Sequence, residues 1–289
     1  MLINGKITET IKSVQLKNKY ITDKNLIFGC CIMTLTKALI TLLPSESKKL
    51  IAVGITADDI VKEKMKEGRI FVARGTTNSY VLDEMMAISE FDKSCYVAGQ
   101  ILPKGERLTS CPSDKRLPEI LFTDGKSEEK PVHEAMEVME KGDIVIKGAN
   151  AIDPDGVAGV LIAHPKGGTC GAFWGPLVAN GLRLIIPIGL EKLVAHSILY
   201  VSADMGIKEI DFSDGYNCGL FPLFGDVFTE IEALETLFDL DEVLHVASGG
   251  VGGAEGAVTL LLIGEKEVVK KAFDFCQKLK TIKQFKPTK

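Results

Sequence analysis

The chain has 289 residues, 46% of them hydrophobic and 25% charged, a balance ordinary for a globular protein. The formal net charge is −5 and no basic run stands out. That argues against a nucleic-acid partner, because phosphate affinity needs clustered Lys and Arg. Seven cysteines stand at positions 30, 31, 95, 111, 170, 218 and 276 with no CxxC pair. This reads as reduced thiols of a cytoplasmic protein, not a disulfide framework or a zinc cluster, so no metal and no cofactor are expected.

The first 26 residues are polar, with Glu9, Lys12, Lys17 and Asp23, and do not read as a signal peptide. Ile27–Leu43 is the most apolar stretch. It contains Lys37 and is short for a membrane span, so a buried helix and no membrane partner are expected. Pro44, Ser45 and Ser47 end it. Lys49–Gly54 (KLIAVG) reads as a strand. Thr56–Asp59 reads as a capping box opening a helix to about Lys66, with Gly68 as its stop. Arg69–Ala73 is a compact apolar strand, and a helical pattern follows Gly75-Thr76-Thr77.

Residues 98–130 hold Pro103, Pro112 and Pro118 and read as an irregular excursion near a site. Helical periodicity returns from Val132 to Met139. Asp143–Lys147, Val157–His164 and Arg183–Ile188 read as strands, and Gly171–Asn180 as a helix. Strands alternating with helices imply an α/β fold: a mostly parallel sheet covered by helices on both faces. Beyond Phe221 the pattern changes. Asp226–Phe238 reads as a helix, Glu242–Ala247 and Ala257–Ile263 as strands around a glycine-rich turn, and Glu265–Lys280 as an amphipathic helix. The expected organisation is a Rossmann-like metabolite-binding domain over 1–223 and a small ferredoxin-like α-β-β-α extension over 224–289.

Glycine is over-represented, 28 residues against 11 prolines, and it clusters where strands end. Gly75, Thr76 and Thr77 precede a helix, whose free N–H groups attract anions; they serve equally well as an ordinary N-cap. Lys147, Gly148, Asn150 and Asp153 leave a strand end, where α/β proteins place ligands; Asp155 reads as turn chemistry. Gly167, Gly168 and Thr169 can form an anion nest, with His164 beside it as an acid–base group or a structural residue. Glu191 and Lys192 follow the strand Arg183–Ile188 and either reach a pocket or form a solvated turn. Ser248–Gly256 reads as a hairpin tip, since strand-like residues follow it where a dinucleotide loop needs a helix.

Three segments carry a family resemblance: the strand ending in GTT (Ile70–Thr77), DIVIKGANAIDPDG (Asp143–Gly156), and GTCGAFWGPLVANGLRLIIPIG with the helix and strand it spans. Together they resemble the superfamily of glucosamine-6-phosphate deaminase, ribose-5-phosphate isomerase and the CoA transferases over roughly residues 55–195. Parts also resemble the effector domains of sugar-responsive repressors and the initiation-factor-2B-related isomerases. No helix-turn-helix precedes the fold, which sets a repressor aside. The resemblance implies a protein that binds a small anionic metabolite, a phosphorylated sugar, as an isomerase-type enzyme, and a homo-oligomeric assembly. Gly75, Thr76, Thr77, Gly148, Asn150, Gly167, Gly168 and Thr169 would hold the ligand. Lys147 and Asp153 would move the proton. The alternatives are a non-catalytic sensor or assembly protein on the same fold, and an acyl-CoA transferase for which Glu191 is the candidate nucleophile.

Overall fold

Apart from two isolated bridges, parallel pairing among the described residues is confined to one side of one sheet. A computed structural model describes residues 35–86 and 92–288. In chain order its elements are β1 (Thr36–Leu42), α1 (Pro44–Ala57), α2 (Asp59–Lys66), β2 (Arg69–Val72), α3 (Thr76–Met86), β3 (Gln100–Ile101), β4 (Arg107–Leu108), β5 (Ile120–Thr123) and β6 (Lys126–Glu129). They continue with α4 (Val132–Val138), β7 (Ile144–Ile146), β8 (Ala151–Ile152), β9 (Ala158–Ile162), α5 (Gly168–Ala179), β10 (Arg183–Pro187), α6 (Ile198–Ala203), β11 (Gly219–Leu223), β12 (Asp226–Phe228), α7 (Glu230–Leu237), β13 (Glu242–Ser248), β14 (Val258–Gly264) and α8 (Lys266–Leu279).

The main sheet has the order β12-β10-β7-β2-β5-β6. Its pairs β12–β10, β10–β7 and β7–β2 are parallel; β2–β5 and β5–β6 are antiparallel. The fold is therefore α/β with a mixed central sheet, in which three of the five strand pairs are parallel and two antiparallel. The excursion at 98–130 is the reason. Its second half folds into the β5–β6 hairpin, whose tight turn reverses the chain and closes one side of the sheet. Smaller antiparallel sheets, β1-β14-β13 and β11-β9-β8, lie outside this one.

Side-chain alternation builds two cores from the same strands. Ile70, Val72, Ile144, Ile146 and Ile185 enter one cluster with α1, α3, α7, β14 and α8. Phe71, Val145, Leu184 and Ile186 enter the other with α4, α5, β9 and β11. Both faces of the sheet are thus covered, which is why its strands read as unbroken apolar runs. Lys37–Lys289 form one compact unit. The first core draws on both sides of the boundary expected at 224, and β12 pairs with β10 across it.

Three expectations are corrected. KLIAVG is the middle of α1: Leu50, Ile51, Ala52 and Ile55 are wholly buried, so the helix carries no polar stripe there to betray its period. Leu43 and Glu46 close its N-terminus, with the Leu43 amide donating to Glu46 Oε2 at 2.9 Å. The apolar run read as a helix over 27–43 ends instead in strand β1; its residues before 35 lie outside the described ones. Asp226–Phe228, read as the start of a helix, forms β12, and Thr229 then caps α7 through the Ile231 amide. The other strands and helices expected from the sequence are present near those positions, while β3 to β6, β8, β11 and α6 are elements it did not foresee. No helix among the described residues is long and apolar enough to cross a membrane.

Gly54 shows how closely α1 and α7 approach. A Cβ there would lie 2.7 Å from both Cα and Cβ of Ala233 and 3.0 Å from the Phe228 ring. Gly54→Val should destabilise the fold by about 2–3 kcal/mol through overpacking, read as a lowered urea midpoint. An unchanged midpoint would mean that the two helices are not pressed together.

Candidate functional site

The parallel strands β2, β7, β10 and β12 all end at the same edge of the main sheet. Val72 pairs with Ile146, Ile146 with Ile185, and Pro187 with Phe228. Four loops therefore leave together: 73–75 into α3, 147–150, 188–192, and 229–230 into α7. They are tied to one another. The Ala73 amide donates to the Ile146 carbonyl and the Lys147 amide to the Ile185 carbonyl, each at 3.0 Å. Asn78, wholly buried, donates through Nδ2 to the carbonyls of Ala73 and Ile146 at 2.7 and 3.1 Å. Its Oδ1 has no partner. A buried acceptor left unpaired costs stability unless something else uses it.

At this edge lies an open cleft of about 580 Å³. Its inner side is formed by Lys48, Thr76, Asn150, Glu191 and Lys192; Gly99–Pro103 and the tail residues Phe285 and Pro287 form the outer wall. The charges beneath it form a network. Lys48 Nζ lies 3.4 Å from Glu191 Oε1, with both side chains about nine-tenths buried. Glu191 Oε2 is buried and has no partner. Gly189 makes room for it: a Cβ at that position would fall 1.7 Å from Oε2. Lys192 Nζ donates to the Ala149 carbonyl at 2.9 Å. Glu230, wholly buried at the start of α7, accepts from the Leu190 amide at 2.9 Å and leaves Oε1 unpaired.

Burial decides the protonation of two of these groups. It pulls the Lys192 ammonium down to about 8, against the opposing Glu191 charge, with Lys48 and Lys147 adding to the fall. It pushes Glu230 up to about 7, and the neighbouring Glu191 charge adds to that rise. Both groups then change charge near neutrality, where proton transfer is most effective.

The sequence candidates divide into three sets. Thr76, Asn150 and Glu191 line the cleft. Gly75, Thr77, Lys147 and Gly148 stand directly behind it. The Gly75 amide donates to the Tyr96 carbonyl, Thr77 is buried, and Lys147 Nζ donates to the Gly148 carbonyl at 2.8 Å. Gly148 sits beside Asn78 Oδ1. The third set lies elsewhere. Gly167 lines a shallow depression with His164, Lys166, Met205 and Phe221, and Gly168 and Thr169 start α5 beside it; no residue of the cleft lines that depression. The reason is β9, which pairs antiparallel with β8 and β11 outside the main sheet, so the chain leaving it does not reach the parallel edge.

Asp153 is also reassigned. Its carboxylate accepts from the amides of Asp155, Val157 and Ile198 at 3.1, 2.9 and 2.8 Å. Three backbone donors occupy both oxygens and hold the turn, leaving no free base. Sequence reasoning passed over Lys48 and Glu230 as site residues. Lys48 and Glu230 belong to polar runs at helix starts that look like solvated first turns; only burial distinguishes them. Among the described residues no group of three or more His, Cys, Asp or Glu is placed to hold a metal ion. Compared with models of protein families, with curated proteins and with solved structures, the chain finds no match in any of the three.

Glu230 makes stability depend on pH. Its folded value of about 7 lies above the unfolded 4.5, so the folded state holds the proton longer. The contribution is present below about 4.5 and is lost as pH rises to about 7. Wild type should lose on the order of 2–3 kcal/mol relative to Glu230→Gln between pH 4.5 and 7.5 in urea unfolding. A difference constant with pH would show Glu230 to be charged throughout.

Proposed function

We propose that the protein binds a small anionic metabolite of the phosphorylated-sugar class in this cleft and acts on it as an isomerase-type enzyme. The observation that carries the reading is Glu191. Glu191 lines the cleft with one carboxylate oxygen buried and without a partner, beside a lysine whose ammonium is held near 8. Glu191 is the base that takes a proton from the carbon next to a carbonyl. Lys192 stabilises the negative charge that then develops on oxygen, and returns a proton. Lys48 and the α3 start at Thr76 attract the substrate anion. These roles replace those expected for Lys147 and Asp153.

The test is deuterium exchange. Aldose and ketose phosphates incubated with the protein in heavy water should take up deuterium at the carbon beside the carbonyl, followed by NMR. Glu191→Gln and Lys192→Gln should each slow this at least about 100-fold. Gly168→Asp, beside the separate depression, should leave it unchanged. Anion binding followed by thermal shift should weaken as pH passes through about 8 and Lys192 loses its charge, and Lys192→Gln should abolish that dependence. No shift and no exchange with any sugar phosphate would refute the reading.

The same unpaired oxygen favours a second reading, acyl transfer through Glu191. It requires a thioester at Glu191 after incubation with acyl-CoA, and a mass spectrum lacking it sets this reading aside.

Gly189→Ala separates site from scaffold. The atom in the way is the mobile end of Glu191, so the fold should keep its melting temperature within about 2 °C while the Glu191-dependent rate falls at least about 10-fold. An unchanged rate would show that the position of this carboxylate is not critical.

A further inference from the structure

We propose that Cys95 and Cys111 form a reversible disulfide site that staples the outer wall of the cleft. The two sulfurs lie 2.9 Å apart, the Cys111 thiol donating to Cys95 Sγ, and both are free thiols. An S–S bond is about 2.05 Å, so closing it needs only a small approach. The backbone sets this proximity. The Leu117 amide donates to the Cys95 carbonyl at 3.0 Å, and Arg116 Nε donates to the Cys111 carbonyl at 2.9 Å. Asp92 caps the turn Lys93–Cys95 through the Ser94 amide. With Val97 the two cysteines form a small apolar cluster, linked to the first core by Leu117 and Phe285, which pack against both.

The position connects this pair to the cleft. Residues 96–110, which the bond would close into a loop, contain the β3–β4 hairpin and the wall residues Gly99–Pro103. Tyr96, next to Cys95, accepts through its carbonyl from the Gly75 amide, at the start of the loop into α3. The tail that lines the cleft through Phe285 and Pro287 reaches the same place: Thr288 Oγ1 lies 2.9 Å from Ser94 Oγ and 3.9 Å from Cys95 Sγ. Both thiols are buried, but Cys111 is followed directly by the exposed turn Pro112–Arg116, so a local opening admits a small oxidant. Of the other described cysteines, Cys170 and Cys276 lie in α5 and α8, and Cys218 stands just before β11.

The oxidant is a low-molecular-weight disulfide. One protein thiolate attacks it, forms a mixed disulfide and releases one thiol. The second protein thiolate then displaces the remaining half as a second thiol. Two protein thiols are oxidised, one small disulfide is reduced, and the two protein thiol protons end on the two released thiols.

The experiment incubates the native full-length chain with oxidised glutathione, alkylates it under denaturing conditions and maps its peptides without reduction. A Cys95–Cys111 crosslinked peptide is expected, removed by dithiothreitol. The oxidised chain should melt roughly 5 °C higher, since closing a loop of this length restricts the unfolded state. Cys95→Ser and Cys111→Ser should each abolish the crosslink and the rise; should either fail to fold, the wild-type map decides by itself. The proposal is overturned if both thiols remain alkylatable, if glutathione stays attached to one of them, or if either pairs with another cysteine. A crosslink without a rise in melting temperature would overturn the staple.

Discussion

The whole arrangement depends on one constraint: β2, β7, β10 and β12 run parallel and end in register. Parallel strands deliver their following loops to the same edge, and covering helices shield the faces, so that edge is where polar groups gather. Thr76, Asn150, Glu191, Lys192 and Glu230 come from four separate stretches of chain and meet there for this reason alone. The antiparallel β5–β6 hairpin closes the other side of the sheet and contributes none of these charged groups. Arg74, paired with the buried Glu119 just before β5, fastens the first of the loops to it.

Charge burial separates function from architecture within that edge. Asp153 is a buried carboxylate whose two oxygens receive three amide hydrogen bonds, so its charge is compensated and its work is to fold a turn. Asp143 does the same at the opposite end of the sheet, taking the Arg69 and Glu140 amides and facing Lys64 and Arg69. Glu191 keeps a buried oxygen without a partner, and Glu230, beside the Ser47 hydroxyl, is pushed up toward its neutral form by burial. Desolvation without compensation is costly, and such groups are retained where a ligand or a proton uses them. Lys192 fits this account, since its ammonium is buried with only one carbonyl acceptor and titrates near 8.

The cleft needs an outer wall as well as a charged floor, and the wall comes from the least regular part of the chain. Gly99–Pro103 and the C-terminal tail meet across Ser94, Cys95 and Thr288, where a few short contacts hold them. A wall built from short strands and single hydrogen bonds is the part of a site that opens most readily, whereas the floor is fixed by two hydrophobic cores.

The sequence by itself determined the alternation of strands and helices, the strand ends rich in glycine, and four candidates that line the cleft: Thr76, Asn150, Glu191 and Lys192. These are local matters, governed by side-chain period, turn chemistry and the habit of α/β chains to bind at strand ends. It misread α1, because a helix buried on all sides has no amphipathic signature, and it grouped Gly167–Thr169 with the site, because a strand end looks alike whichever sheet it belongs to. Strand direction is set by partners far along the chain. Only the tertiary structure therefore decided that β9 stands outside the parallel edge, that Asp153 is consumed by backbone amides, that Lys48 and Glu230 lie beneath the cleft, and that Cys95 and Cys111, sixteen positions apart, touch. Each of these turns on burial and on which groups share a small volume, quantities that no local pattern of residues encodes.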